Sequence, residues 1–122
     1  MERFAEMALF ADFYGPLLTE KQRNIWDLHY EQDLSLVEIA AEVDISRQAV
    51  YDLLKRTEKI LRGYEAKLGL VQRFLLEQEK LIEVKEQLKG FTEEDFANPQ
   101  AWESYQQICQ QINDVFNVME SS

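Results

Sequence analysis

The residues best suited to chemistry lie in one run, SRQAVYDLLKRTEK, from Ser46 to Lys59. Ser46 and Arg47 open it. Gln48, Tyr51, Asp52 and Lys55 recur at spacings of three and four, and Arg56 and Lys59 follow. On a helix such residues share a face. Val50, Leu53, Leu54 and Thr57 take the opposite face and supply a packing side. The free side carries the groups that meet nucleic acid. Glutamine can bond adenine through two hydrogen bonds, and Arg or Lys can pair with guanine. Arg56 and Lys59 are better placed for phosphates. Nucleic-acid contact is therefore expected at Ser46, Arg47, Gln48, Tyr51, Lys55, Arg56 and Lys59. The plainer alternative is a solvated basic face on a helix that serves only as scaffold, and Asp52 in mid-face favours it.

No other constellation competes. His29 is the single histidine, and a metal site needs a cluster of ligands, so a partly buried structural role near Trp26 is expected. Cys109 is alone, which forbids an internal disulfide and a cysteine-rich metal site. Ser35, Ser46 and Ser104 have no candidate base nearby, and no glycine-rich phosphate loop is present. Glu77, Glu79, Glu83 and Glu86 read as a solvated helix face. The expectation is a protein that is not an enzyme and uses no cofactor and no metal.

The basic run sits in an acidic chain. Its 122 residues carry 13 bases and 23 acids, a formal net charge of −10, and a pI near 4.5. Residues 46–62 hold five bases and two acids, whereas residues 63–122 hold five bases and eleven acids. Phosphate contact is thus expected at one helix and disfavoured elsewhere. Four Gly and two Pro leave few breaks, and Leu, Glu, Gln, Lys and Ala dominate, so an all-α fold is predicted. No apolar run approaches the roughly 18 residues needed to span a bilayer. The stretch MERFAEMALF suits an amphipathic helix better than a leader segment. A cytoplasmic protein with no membrane association is expected.

The elements that must position the run can be read from their ends. Glu2 to Tyr14 is predicted as a first helix, stopped by Gly15-Pro16. Thr19-Glu-Lys-Gln22 is a capping box that opens a second helix with Ile25, Trp26 and Leu28 on its apolar side, fading near Gln32-Asp33. Ser35-Leu-Val-Glu38 is another, opening a short helix from Leu36 to Val43 whose apolar residues are Val37, Ile39, Ala40 and Val43. Asp44-Ile45 is the turn, with Asp44 in the left-handed conformation. Ser46 caps the next helix, and Ala40 and Ala49 let the two backbones approach, a helix-turn-helix pattern. This helix is expected to bury Val50, Leu53, Leu54, Thr57, Ile60, Leu61, Tyr64 and Leu68 and to end at Gly69. A helix from Leu70 to Lys89 follows, with Val71, Phe74, Leu75, Gln78, Leu81, Ile82, Lys85 and Leu88 on one side. Thr92 caps a short turn, and Asn98-Pro99 starts a last helix to about Met119. The sevenfold recurrence of Leu54, Leu61, Leu68, Leu75 and Ile82 mimics a coiled-coil seam. Gly69 interrupts it, so a packed bundle is predicted instead.

The segment LTEKQRNIWDLHYEQDLSLVEIAAEVDISRQAVYDLLKRTEKIL, Leu18 to Leu61, closely resembles DNA-binding region four of bacterial sigma factors. The shared pieces are the Leu-Thr-x-x-Gln-Arg opening, Leu28, Ser35 to Ala40, Ser46 to Val50, and Leu54, Arg56 and Leu61. In that family the helix capped here by Ser46 enters the major groove, which implies base and phosphate contact at its N-terminus. The longer stretches MALFADFYGPLLTEKQR and KRTEKILRGYEAKLGL, with the acidic helical tail, resemble the YlxM family of Gram-positive bacteria essentially end to end. The resemblance implies a helix-turn-helix regulator of winged-helix-like DNA-binding type. It also implies a link to the signal recognition particle pathway, whose genes typically neighbour those of the family.

Two units are expected: a helix-turn-helix domain over residues 1–68, and a helical tail over residues 69–122 for packing or dimerisation. DNA is the expected partner, with components of the signal recognition particle as a further one. The alternative is a protein- or RNA-binding accessory of that particle. The tail holds more large side chains than a reading unit needs, so a homodimer is expected, with Trp102, Tyr105, Ile112 and Phe116 as interface candidates.

Overall fold

Three serine and threonine caps set the helix starts of the helix-turn-helix unit. In the computed structural model, which describes residues 3–120, Thr19 Oγ1 accepts from the Gln22 N–H and Gln22 Oε1 accepts from the Thr19 N–H (3.2 and 2.9 Å). Ser35 and Glu38 make the same reciprocal pair at 3.1 and 2.9 Å. Each satisfies backbone donors that the first turn of a helix leaves orphaned. The helices are α1 (Arg3–Tyr14), α2 (Glu20–Tyr30), α3 (Leu36–Val43), α4 (Arg47–Leu68), α5 (Leu70–Leu88) and α6 (Pro99–Glu120), with single 3-10 turns at Gly15–Leu17 and Glu93–Asp95. The predicted start of α1 at Glu2 lies outside the described residues. Among the described residues there is no strand, so the β-hairpin of a winged helix is missing and that part of the expectation is corrected. The fold is all-α. The chain divides into two compact units between Gln72 and Arg73.

The first unit packs α1 to α4 around Trp26, which is fully buried and donates its Nε1–H to the Met7 carbonyl at 3.1 Å. Met7, Phe10 and Tyr14 of α1 and Ile25 and Leu28 of α2 surround it, and Ile39, Val50, Leu54 and Leu61 close the core from α3 and α4. Burying such side chains stabilises the unit by about 1.5–3 kcal/mol each. The packing face of α4 differs from the predicted one in four places, Tyr64 being half-buried like Leu53. Leu53 is only half-buried, and Ile60 and Leu68 are exposed, Leu68 to 55%. Leu61 is the last fully buried residue of α4; beyond it in the helix only Tyr64 and Glu65 are partly covered, both beside Tyr14. Val37 points outward as well, 63% exposed. His29 is tied into this unit: its Nδ1 bonds the Leu34 carbonyl at 2.8 Å, so that nitrogen carries the proton.

Gly69 stands alone between α4 and α5 at φ 62°, which a side chain would strain. It interrupts the sevenfold leucine series as predicted, because no helix continues through a left-handed residue. Having no side chain, Gly69 cannot cap α5. The α4 residue Glu65 does so instead, accepting from the Val71 and Gln72 N–H groups at 3.0 and 2.9 Å. The Leu70 N–H donates to the Tyr14 hydroxyl at 3.1 Å, and that hydroxyl donates to Glu65. The first turn of α5 therefore belongs to the first unit, and the unit boundary falls about one turn beyond residue 68.

In the second unit α6 runs back along α5. The Tyr105 hydroxyl donates to the Leu88 carbonyl, Lys85 Nζ lies 4.1 Å from the Phe116 ring centre, and Gln78 bonds Glu120. Asn98 caps α6 through the Ala101 N–H at 2.8 Å. Phe91, Phe96, Trp102 and Tyr105 form one aromatic cluster, with ring centres 5.0–6.2 Å apart.

Candidate nucleic-acid interface

Ser35, Asp44 and Ser46 fix the geometry of the α3–α4 pair. The Ser35 box starts α3 in register. Asp44 takes φ 57°, ψ 49°, which reverses the chain after Val43 and lets the Ile45 N–H reach the Ala40 carbonyl at 3.2 Å. Ser46 then accepts from the Ala49 N–H at 3.0 Å and starts α4. Ile39 and Val50, both fully buried, hold the two helices together. With that face committed to the core, helical spacing sends Gln48, Asp52, Lys55 and Lys59 to the outside along one stripe.

All seven predicted contact residues are exposed: Ser46, Arg47, Gln48, Tyr51, Lys55, Arg56 and Lys59. The structure thus brings the whole set onto the free side of one helix. Their engagement differs. Gln48 Nε2 donates to Asp52 Oδ1 at 3.0 Å, one turn away, so its amide is already oriented. Lys55 Nζ sits 5.7 Å from the centre of the Tyr51 ring, a cation resting near an aromatic face. Among the described residues, Arg47, Lys55, Arg56 and Lys59 make no ion pair. No acidic residue lies in the first turn of α4, so nothing there offsets the positive end of the helix.

Three arginines elsewhere in the first unit behave differently. Arg3 bonds Glu58 at 2.6 Å, and Arg62 bonds Glu58 at 3.0 Å and Glu6 at 3.5 Å. Arg23 lies 3.8 Å from Asp27. Burial pushes the Glu58 carboxyl upward, but the hydrogen bond from Arg62 and the charges of Arg3 and Arg62 outweigh it and hold it below the usual carboxylate range. Counting charge along the sequence had put Arg62 with the basic face. In the structure it belongs to this ion-pair cluster. Only the Glu58–Arg62 spacing of four residues was visible beforehand; Arg3 arrives from another helix. Beside the face, a cleft of about 270 Å³ opens between Arg3, Tyr30, Leu36, Tyr51 and Lys55.

The four interface candidates of the tail lie elsewhere, in the second unit. Trp102, Tyr105, Ile112 and Phe116 are each half-buried. Trp102 and Tyr105 belong to the aromatic cluster, Phe116 lies under Lys85, and Ile112 lines a small cavity with Leu88, Tyr105 and Cys109.

The likeness to known proteins runs over the same residues. Residues 1–99 match the family described as "UPF0122: Putative helix-turn-helix protein, YlxM / p13 like". The match ends at Pro99, the first residue of α6. A UPF0122 protein of Desulforamulus reducens is 50% identical over 91 residues, covering 75% of this chain and 78% of that one. A UPF0122 protein of Bacillus cereus strain AH187 is 49% identical over 98 residues, 80% of this chain and 86% of its own. One from Bacillus anthracis strain A0248 matches to the same extent. With α1 to α4 inside the matched region, the chain belongs to the UPF0122 family, the YlxM / p13-like helix-turn-helix proteins.

Proposed function

We propose that the protein is a non-enzymatic, DNA-binding regulator that acts as a homodimer and inserts α4 into the major groove. The observation that carries this reading is the contrast among cations: Arg3, Arg23 and Arg62, off this face, have carboxylate partners, while Arg47, Lys55, Arg56 and Lys59 stand together on the free face with no ion pair among the described residues. Unpaired exposed cations release counterions from DNA without first breaking an ion pair. Arg47, at the start of α4, and Gln48 meet base edges; Arg56 and Lys59 meet phosphates. Asp52 and the acidic remainder weaken indiscriminate binding, and two copies of α4 restore affinity at paired half-sites. The resemblance to a family whose genes typically neighbour those of the signal recognition particle pathway supports a link of the regulator to that pathway.

The second reading is a protein- or RNA-binding accessory of that particle. Asp52 favours it, since it occupies mid-stripe and holds the Gln48 amide. Anisotropy titrations at low salt, with duplex DNA from around the protein's own gene and with random duplex, separate the two. The DNA reading expects binding that falls steeply with salt and prefers the native sequence. No binding to either duplex sinks it.

A further inference from the structure

No side chain from Arg73 to Glu120 is fully buried. Two helices share one seam, and side chains flanking it stay wet until further helices cover them. On α6 the seam is Trp102, Tyr105, Cys109, Ile112, Phe116 and Met119, all half-buried and three or four residues apart. One position earlier runs a second stripe, whose Ile108 and Val115 are 50% and 52% exposed. On α5, Leu81, Val84 and Leu88 recur at the same helical spacing and are half-buried, Leu88 against Tyr105 of α6. The acids gather on the other flank: Glu79, Glu83 and Glu86 on α5, Glu103 and Asp114 on α6. Arg73, Glu77 and Lys80 share the Val84 side of α5, Glu77 paired with Arg73 at 2.9 Å and Lys80 with Glu83 at 3.5 Å, and the exposed Leu76 and Ile82 lie off it.

We infer that a second copy of the chain docks on this aliphatic flank, centred on Ile108 and Val115, its own matching flank face to face, so that two hairpins make one four-helix bundle. The inference rests on the homodimer reading and names its surface. A chain of net charge −10 repels its own copy over most of its surface. Copies can meet only where carboxylates are few. A two-fold contact also requires a patch complementary to itself, which the aliphatic Ile108–Val115 stripe of α6 is. A basic partner would be drawn to the acidic flank instead. The bundle also completes the core that a lone two-helix unit lacks.

Sedimentation equilibrium of the intact chain over a wide concentration range tests this. A dimer is expected. Ile108→Glu with Val115→Glu should weaken it by roughly 100-fold with unchanged far-ultraviolet helicity, while Glu83→Gln with Glu86→Gln should leave it intact. Should the first pair of changes lower helicity, isotope-filtered NOEs between labelled and unlabelled wild-type chains give the same answer, with intermolecular signals expected at the Ile108 and Val115 methyls. A monomer at every concentration overturns the homodimer reading and this inference together. A dimer indifferent to the first pair, or lost with the second, or with intermolecular NOEs confined to other residues, overturns this face alone.

Discussion

Arg62 and Lys59 are three residues apart on one helix, both exposed, and differ in their partners. Arg62 is held by Glu58 and Glu6, whereas Lys59 makes no ion pair among the described residues. Lys59→Ala is expected to weaken binding to all duplex sequences and to lower the salt slope by about one. Arg62→Ala should leave that slope nearly unchanged. Arg47→Ala and Gln48→Ala should flatten the preference between sequences, because they remove base-edge contacts. Competition titrations over a salt series check all three. If Arg62 proves as sensitive as Lys59, the division between paired and unpaired cations is wrong. Inside the core, Thr57 is fully buried and its hydroxyl has no hydrogen-bond partner among the described residues. An unsatisfied buried hydroxyl is costly, and valine keeps nearly the same shape. Thr57→Val should therefore raise stability by about 1 kcal/mol in chemical denaturation. A loss would mean the hydroxyl has a partner after all.

Among elements, α4 carries two tasks on two faces. Val50 is fully buried against α3, so Val50→Ala should cost about 2 kcal/mol. Leu53, half-buried, should cost less despite its larger side chain, and equal losses would mean the helix phase is misread. Further along, Glu65 caps a different helix. Burial pushes its carboxyl upward, yet the hydrogen bonds from Tyr14, Gln72 and Val71 win and lower it. A carboxylate with a depressed folded value contributes stability above its unfolded value and loses it as pH falls through the folded one. Glu65→Gln should therefore be less stable than wild type by about 1–2 kcal/mol near neutral pH. The gap should close between about pH 5 and pH 3. Thermal melts across that range decide it, and a gap independent of pH would show that charge plays no part in the cap.

At the scale of the whole molecule, the charge outside the reading helix governs encounters. Residues 46–62 carry a net +3 within a chain of −10. Opposite fields speed and orient association more than they deepen affinity. If the tail docks to a basic subunit of the signal recognition particle, the association rate should fall steeply with salt. Replacing Glu77, Glu83 and Glu86 with glutamine should slow it, and Arg47→Ala should barely alter it. Stopped-flow mixing with the isolated particle protein reads these rates. The reverse pattern would make the helix-turn-helix the docking surface.

By itself the sequence determined what local chemistry controls. Thr19, Ser35, Ser46 and Asn98 announced helix starts because their side chains satisfy backbone donors within three residues, and the positions of Asp44 and Gly69 followed from left-handed geometry that few residues tolerate. The free face of α4 was legible for the same reason: once Val50, Leu54 and Leu61 face inward, helical spacing dictates where Gln48, Lys55 and Lys59 point. Only the tertiary structure decided which charges are free. Arg3 and Glu58, or Tyr14 and Glu65, are separated by three other helices or turns along the chain, and no periodicity encodes such a meeting. It likewise decided that Ile60, Leu68 and Val37 stay exposed, because burial depends on a neighbour being present as well as on an apolar side chain.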